Sequence, residues 1–350
     1  MEGREKMKLK FLSVLLVCLM AGNVFAAAWV GPIGNWIDGT KWSTGVMPAL
    51  ADTNEIKDTV VSSQITVNTN VGLYAGAKIT IGAGPAESQA AKLYVQPNGY
   101  IGSGTELKLS DTGAGGSGGK YGYLIQTGGT VDTGSAGKVE VGYKAGGIGS
   151  YTISGGSLIM TTGGTSQLIV GGSGAIGSTG TFDVIGTAPV ISLNRLWVGA
   201  KDSSGGFNGT ATMKFESSSP GSGVSSIKLT NAGTGVYIDP VDNAVANLDV
   251  TSLVISSTAL PSVIVLIETL GTAAVTGDFD SVLDGDSTGS GTEGSIVMLK
   301  DELNNLHQYS LTYLYNANGD GKTNDIALIP EPATLALLSL GLIAIRRNKK

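Results

Sequence analysis

The sequence predicts an all-β chain whose body is a parallel β-solenoid of about six coils, each too short to bury its apolar side alone. Three observations lead there. Glycine supplies 54 of the 350 residues, while aromatics make up 6% and charged residues 14%. Such a chain favours tight turns and extended segments over helices, because glycine costs a helix conformational entropy but readily takes positive φ. Second, Val141-Gly142, Val170-Gly171 and Val198-Gly199 recur at intervals of 29 and 28 residues. Each closes an alternating stretch: Lys138-Val139-Glu140-Val141, Gln167-Leu168-Ile169-Val170 and Arg195-Leu196-Trp197-Val198. Ile81-Gly82, Leu109-Ser110 and Leu229-Thr230 read as degenerate copies. Third, Thr127-Gly128-Gly129-Thr130-Val131 returns 27 residues later as Ser154-Gly155-Gly156-Ser157-Leu158. An irregular β-sandwich would share the composition but leaves these spacings without a cause.

The coils are assigned to residues 72–240. Leu124-x-Gln126 and Tyr151-x-Ile153 precede the glycine pairs, with Phe182-x-Val184 and Ala211-x-Met213 as looser versions, and they alternate like strands with one buried face. Each unit therefore holds at least two short strands. Stacking sets equivalent strands about 4.8 Å apart in parallel sheets.

The first 26 residues read as a secretory signal peptide, expected to be helical. A basic stretch (Arg4, Lys6, Lys8, Lys10) leads into an apolar run over residues 11–20, followed by small residues. Val24-Phe25-Ala26 or Ala26-Ala27-Ala28 would suit a signal peptidase. Cys18 is the only cysteine, so cleavage leaves a chain without disulfides or thiolate metal ligands. The formal charge of −6 becomes more negative once the basic signal and C-terminal end are removed. Nucleic acid and anionic membranes are therefore unsuitable partners.

Residues 27–71 form a Trp-rich opening with Trp29, Trp36 and Trp42. The physical reading is an end cap, since the open edge of a stack invites aggregation. Trp36 and Trp42 are also candidate glycan contacts. Residues 241–329 change pattern to strongly apolar strands, with Asn318-Gly319-Asp320-Gly321 as a hairpin turn, and read as a β-rich C-terminal cap. Asn316-x-Asn318-x-Asp320-Gly321 has the early ligand spacing of a Ca²⁺ loop, but Ala327 stands where a bidentate acid is required.

The tail 330–350 is the most specific segment. Pro330-Glu331-Pro332 precedes an apolar run over 333–345 and a basic end with Arg346, Arg347, Lys349 and Lys350. At about 1.5 Å per residue that run makes a helix of roughly 20 Å, shorter than the ~30 Å hydrocarbon core. The basic end stays cytoplasmic under the positive-inside rule, giving transient retention at the inner membrane. This arrangement closely resembles the PEP-CTERM sorting signal of Gram-negative bacteria. The resemblance implies an exosortase-type enzyme that recognises Pro330, Glu331 and Pro332 and processes the tail after export. The opening and closing segments also resemble those of PEP-CTERM and autotransporter-type β-helix proteins. By implication the exported protein lies at the cell envelope or outside the cell, associated with exopolysaccharide or biofilm.

Catalysis is not expected. Carboxylates and bases along the repeats are scattered: Asp132, Lys138, Glu140, Lys144, Asp183, Arg195, Lys201 and Asp202. Lys138, Glu140 and Arg195 could form a small cluster, but nothing assigns acid and base roles. His307 is the only histidine and reads as a surface residue. No glycine-rich stretch carries a P-loop lysine, so no nucleotide or other cofactor is expected. The leading expectation is a structural surface or matrix protein; a carbohydrate-binding or adhesive module is the first alternative, a polysaccharide-active enzyme the second.

Overall fold

The computed structural model describes residues 27–30, 33–43, 47, 53–56, 64–69, 78–82, 90–102, 106–110, 121–134, 137–143, 146–160, 166–171, 177–199, 209–230, 235–238, 244–270 and 273–331. The signal peptide and residues 332–350 lie outside them, as do the helices expected there. Among the described residues no helix is long and apolar enough to cross a membrane, and the one helical element is a 3-10 turn at Gly39–Lys41.

The body is a parallel β-solenoid. Among the described residues nine strands build its first face: Ala27–Ala28, Thr53–Ile56, Lys78–Ile81, Glu106–Leu109, Lys138–Val141, Gln167–Val170, Leu196–Val198, Val236–Ile238 and Val275–Thr276. Six of these strands lie within 72–240; two precede them and one follows, so this face runs on into both flanking segments. Val141 pairs with Val170, and Val170 with Val198. Ile81 and Leu109 continue the column on one side and Ile238 on the other. All six side chains are fully buried, each worth roughly 1.5–3 kcal/mol of transfer from water. Leu229 does not belong to this column. It pairs with Leu193 on another face, because the coil after residue 199 is longer and delays the next member to Ile238.

The residue after each of the first five column members, from Gly82 to Gly199, has positive φ and turns the chain out of the sheet. Gly142 does so at φ +81°, where an added Cβ would meet the Thr179 carbonyl of the next coil at 2.5 Å. Ser110 takes the same turn at φ +64° without being glycine, and its Oγ is buried with no partner. Replacing Ser110 by glycine removes both penalties, and urea denaturation should show a gain of about 1 kcal/mol.

The second face runs through Ile33–Asn35, Gln64–Val67, Ala90–Val95, the first halves of Tyr121–Asp132 and Ile148–Met160, then Thr179–Ile185, Thr210–Glu216, Val245–Asp249 and Phe279–Leu283. A third face completes the coil. Ile148–Met160 serves both: Ile148–Ile153 pairs with Thr179–Val184, and Ser157–Met160 pairs with Val190–Leu193. The bend between them falls at Gly155-Gly156, stacked on the bend at Gly128-Gly129. At Gly156 (φ +81°) a Cβ would lie 2.3 Å from the Gly129 carbonyl oxygen, so the corner admits only glycine. Beneath it the buried Gln126 amide donates to the Ser157 and Gly129 carbonyls at 3.0 and 3.2 Å and accepts from the Tyr151 hydroxyl at 2.5 Å. This buried polar side chain is fully used, as an interior position demands.

At the C-terminal end the parallel order gives way. Ile264–Thr269 pairs in parallel with Ile227–Leu229 on one side and antiparallel with Asp325–Pro330 on the other. Asp325–Pro330 then pairs with Leu306–Tyr315, and that strand with Ile296–Asp301.

Candidate functional site

The sorting motif begins inside the fold. Pro330 is the last residue of the strand Asp325–Pro330 and stands opposite Tyr309, while Ile329 stands opposite Ser310. One residue further, the Glu331 amide donates to the Gln308 carbonyl at 3.2 Å. Burial on both faces keeps this strand in place: the consecutive Ile326, Ala327 and Leu328 are fully buried. Pro332, Arg346, Arg347, Lys349 and Lys350 lie outside the described residues.

Two carboxylates brace the sheet that carries the motif. Asp325 is fully buried and accepts from the Thr269 amide (2.6 Å), the Thr269 hydroxyl (3.2 Å) and the Ala317 amide (2.6 Å). Asp301 accepts from the amides of Leu303 and Asn305, both at 2.8 Å, from the Asn305 side chain at 2.9 Å and from His307 Nε2 at 3.0 Å. Burial pushes the Asp301 carboxyl up, but these donors outweigh it and hold the group well below the usual carboxylate range. His307 is thus half-buried against Asp301 and not the solvent-facing residue its polar neighbours suggest.

On the first face the outward residues form two registered rows. Lys78, Glu106 and Lys138 make one; Thr80, Lys108, Glu140, Ile169, Trp197 and Tyr237 make the other. Glu140 pairs with Lys108 at 3.6 Å, and Lys108 with Glu106 at 3.0 Å. Lys108 also lies 3.7 Å from the Tyr143 ring centroid. Burial alone would lower the Lys108 ammonium; Glu106, Tyr143 and Glu140 together hold it above the ordinary lysine range. Arg195 does not join Glu140: its guanidinium faces the Tyr237 ring of the next coil at 6.0 Å. The charges that do come together are built on Lys108, whereas the sequence alone allows only for a small cluster of Lys138, Glu140 and Arg195. Lining up Glu106-Leu107-Lys108-Leu109 with Lys138-Val139-Glu140-Val141 sets Lys108 beside Glu140, the signal by which the sequence could have revealed it.

On the second face the outward row Thr152, Asp183, Lys214 and Asp249 crosses four coils. Asp183 is buried, and its Oδ1 has no hydrogen-bond partner. Burial pushes its carboxyl up to about 6; Lys214, which also pairs with Glu216, pulls it partly back, and Asp249 adds to the rise. A raised carboxyl favours the fold while protonated, and the advantage disappears as the pH rises from about 4 to about 6. Asp183→Asn should remove that fall and raise stability at pH 7 by about 1–3 kcal/mol. Urea denaturation at pH 4 and pH 7 measures both.

Trp29, Trp36 and Trp42 come together at the first coil. Trp42 meets the other two edge-on at 5.2 and 4.9 Å, and its indole N–H donates to the Trp36 carbonyl at 2.9 Å. Trp36 and Trp42 are 0% and 2% exposed, so neither offers a ring face for a sugar to stack on. That corrects the expectation of glycan contact at these two residues: the indoles pack on one another instead. In the loop over residues 316–324, Asn318 and Asp320 accept from the amides of Asp320 and Lys322, and the Asn318 side chain donates to the Thr269 carbonyl. These oxygen atoms shape the turn.

Residues 328–350 match the family model of the PEP-CTERM protein-sorting motif. No curated protein and no solved structure matches the chain. The motif implies an exported, cell-surface protein whose processing partner is an exosortase. The match covers the tail and the end of the last strand, not the solenoid.

Proposed function

We propose that the processed chain is a structural protein of the cell surface or extracellular matrix, associated with exopolysaccharide or biofilm and without enzymatic activity. Signal peptidase and the exosortase act on it in turn, the precursor being held at the inner membrane by its tail until the second step. The observation that carries this reading is the unbroken column from Ile81 to Ile238. A stack whose coils are tied by neighbour-to-neighbour pairing gives a stiff, long body, which a displayed or matrix element needs. The charges on its first face support the same reading, because Lys108, Glu106 and Glu140 engage one another. Mass spectrometry of the mature termini with cell fractionation tests the route. Deletion of the chain tests the role: the surface or matrix should lose integrity, and an intact matrix would exclude a structural part.

One observation favours carbohydrate binding as a second reading. Ser150, Thr181, Thr212, Asn247 and Ser281 form an outward ladder on the second face. Tyr123, parallel to Tyr121 within 2°, stands next to Ser150 in the register. Hydroxyl and amide groups at strand spacing beside aromatic rings suit a neutral glycan. Retention on polysaccharide affinity gels, lost in Tyr123→Ala without unfolding, would support it.

A further inference from the structure

We propose that the folded body competes with the processing enzyme for the sorting motif, so that docking of the last strand acts as a brake on tail removal. The proposal rests on the exosortase reading above. It starts from the chemistry of the tripeptide. Proline has no amide N–H, so within Pro330-Glu331-Pro332 only Glu331 can donate from the backbone. The body already takes that donor: the Glu331 amide is bonded to the Gln308 carbonyl at 3.2 Å. Pro330 is held opposite Tyr309 in the same sheet.

An enzyme that reads an extended peptide does so largely through main-chain hydrogen bonds to a strand it can align beside its own. A peptide paired in a sheet cannot present the same edge twice. The enzyme therefore needs either a chain whose closing sheet has not yet formed, or one whose last strand has frayed from Leu306–Tyr315. Strand ends open far more readily than sheet interiors, so the brake slows processing without preventing it. The strand also leaves no slack. Ile326 to Leu328 are buried and the motif follows within two residues, so no flexible spacer separates the body from the sequence to be recognised.

The test is a pulse-chase of tail removal in cells that process the full chain. A Gly-Ser-Gly-Ser insertion between Ile329 and Pro330 frees the motif while leaving the pairing up to Ile329 in place. Losing about one net hydrogen bond predicts processing faster by about fivefold. The opposite manipulation is the pair Ser310→Cys and Ile329→Cys. These residues stand directly opposite each other, at a separation that antiparallel geometry makes compatible with a disulfide, and the exported chain has no other cysteine once the signal is removed. With the bridge closed, processing should slow, and reductant should restore it. An unchanged or slower rate with the insertion, or an unchanged rate with the bridge, overturns the brake. A parent chain that keeps its tail throughout, like a Glu331→Ala control, overturns the sorting reading and the brake with it; a parent that is processed leaves the two outcomes separate.

Discussion

Lys108→Ala should lower the stability of the exported chain by about 2–3 kcal/mol, since it takes from the buried Glu140 carboxylate an ammonium 3.6 Å away and removes the lysine stem from the row. Glu140 is 2% exposed, and Lys108 is the cation against its carboxylate. With the ammonium gone, the Glu140 carboxylate sits in a poorly solvated row with less compensation, which weakens the folded state. Glu140→Gln in the Lys108→Ala background should recover at least half of the loss, because a neutral amide does not need the cation. Glu106→Gln alone should cost only about 1 kcal/mol, its side chain being accessible enough for water to screen it. Urea denaturation of the four proteins settles the matter. A double variant no more stable than Lys108→Ala would assign the loss to packing of the lysine stem against Tyr143 and not to charge.

The same cluster shows how far the repeat could be read from the sequence. The Val-Gly spacing found the inward column correctly, since Val141, Val170 and Val198 are each apolar and followed by a glycine at positive φ. That double constraint is written into two adjacent letters. The outward rows carry no such constraint, and their chemistry changes from coil to coil: Lys108 sits beside Glu140, then Ile169, then Trp197. Only alignment through the degenerate copy at Leu109-Ser110 exposes the ion pair. The aromatic row slipped for a related reason. Ala211-x-Met213 looks like the partner of Phe182-x-Val184, yet Phe182 pairs with Met213 and Val184 with Phe215. Alternation alone fits any shift by two residues. The third face was harder still, because Tyr121–Asp132 and Ile148–Met160 pass through the corner as unbroken strands, and the glycine pair within them reads as a turn between two. The motif at 330–332 was legible as a tail. Its pairing with Gln308 and Tyr309 was not, since nothing in an apolar strand followed by proline reveals which carbonyl lies opposite.

Asp325→Ala should cost about 2–3 kcal/mol, the largest effect expected in the closing sheet, because it leaves the fully buried Thr269 amide without its acceptor and releases the more exposed Ala317 amide to water. The Thr269 and Ala317 amides both point at this one side chain at 2.6 Å, and no alanine atom can replace the acceptor. The two donors come from opposite ends of the closure. Thr269 ends the strand that joins the last parallel coil to the antiparallel sheet, and Ala317 opens the loop that leads back into Asp325–Pro330. Asp325→Asn keeps one acceptor oxygen, so its loss should be about half as large. Denaturation monitored by tryptophan fluorescence and by circular dichroism separates local from global change. Trp29, Trp36 and Trp42 report the first coil and Trp197 the first face of the solenoid, none of them in the closing sheet, so a release confined to that sheet alters the dichroism before the fluorescence. The variant also bears on processing. Asp325 fixes the strand whose end holds Pro330 and Glu331, so loosening it should speed tail removal as the four-residue insertion does. Destabilisation accompanied by an unchanged processing rate would show that the motif is read without being lifted from the sheet.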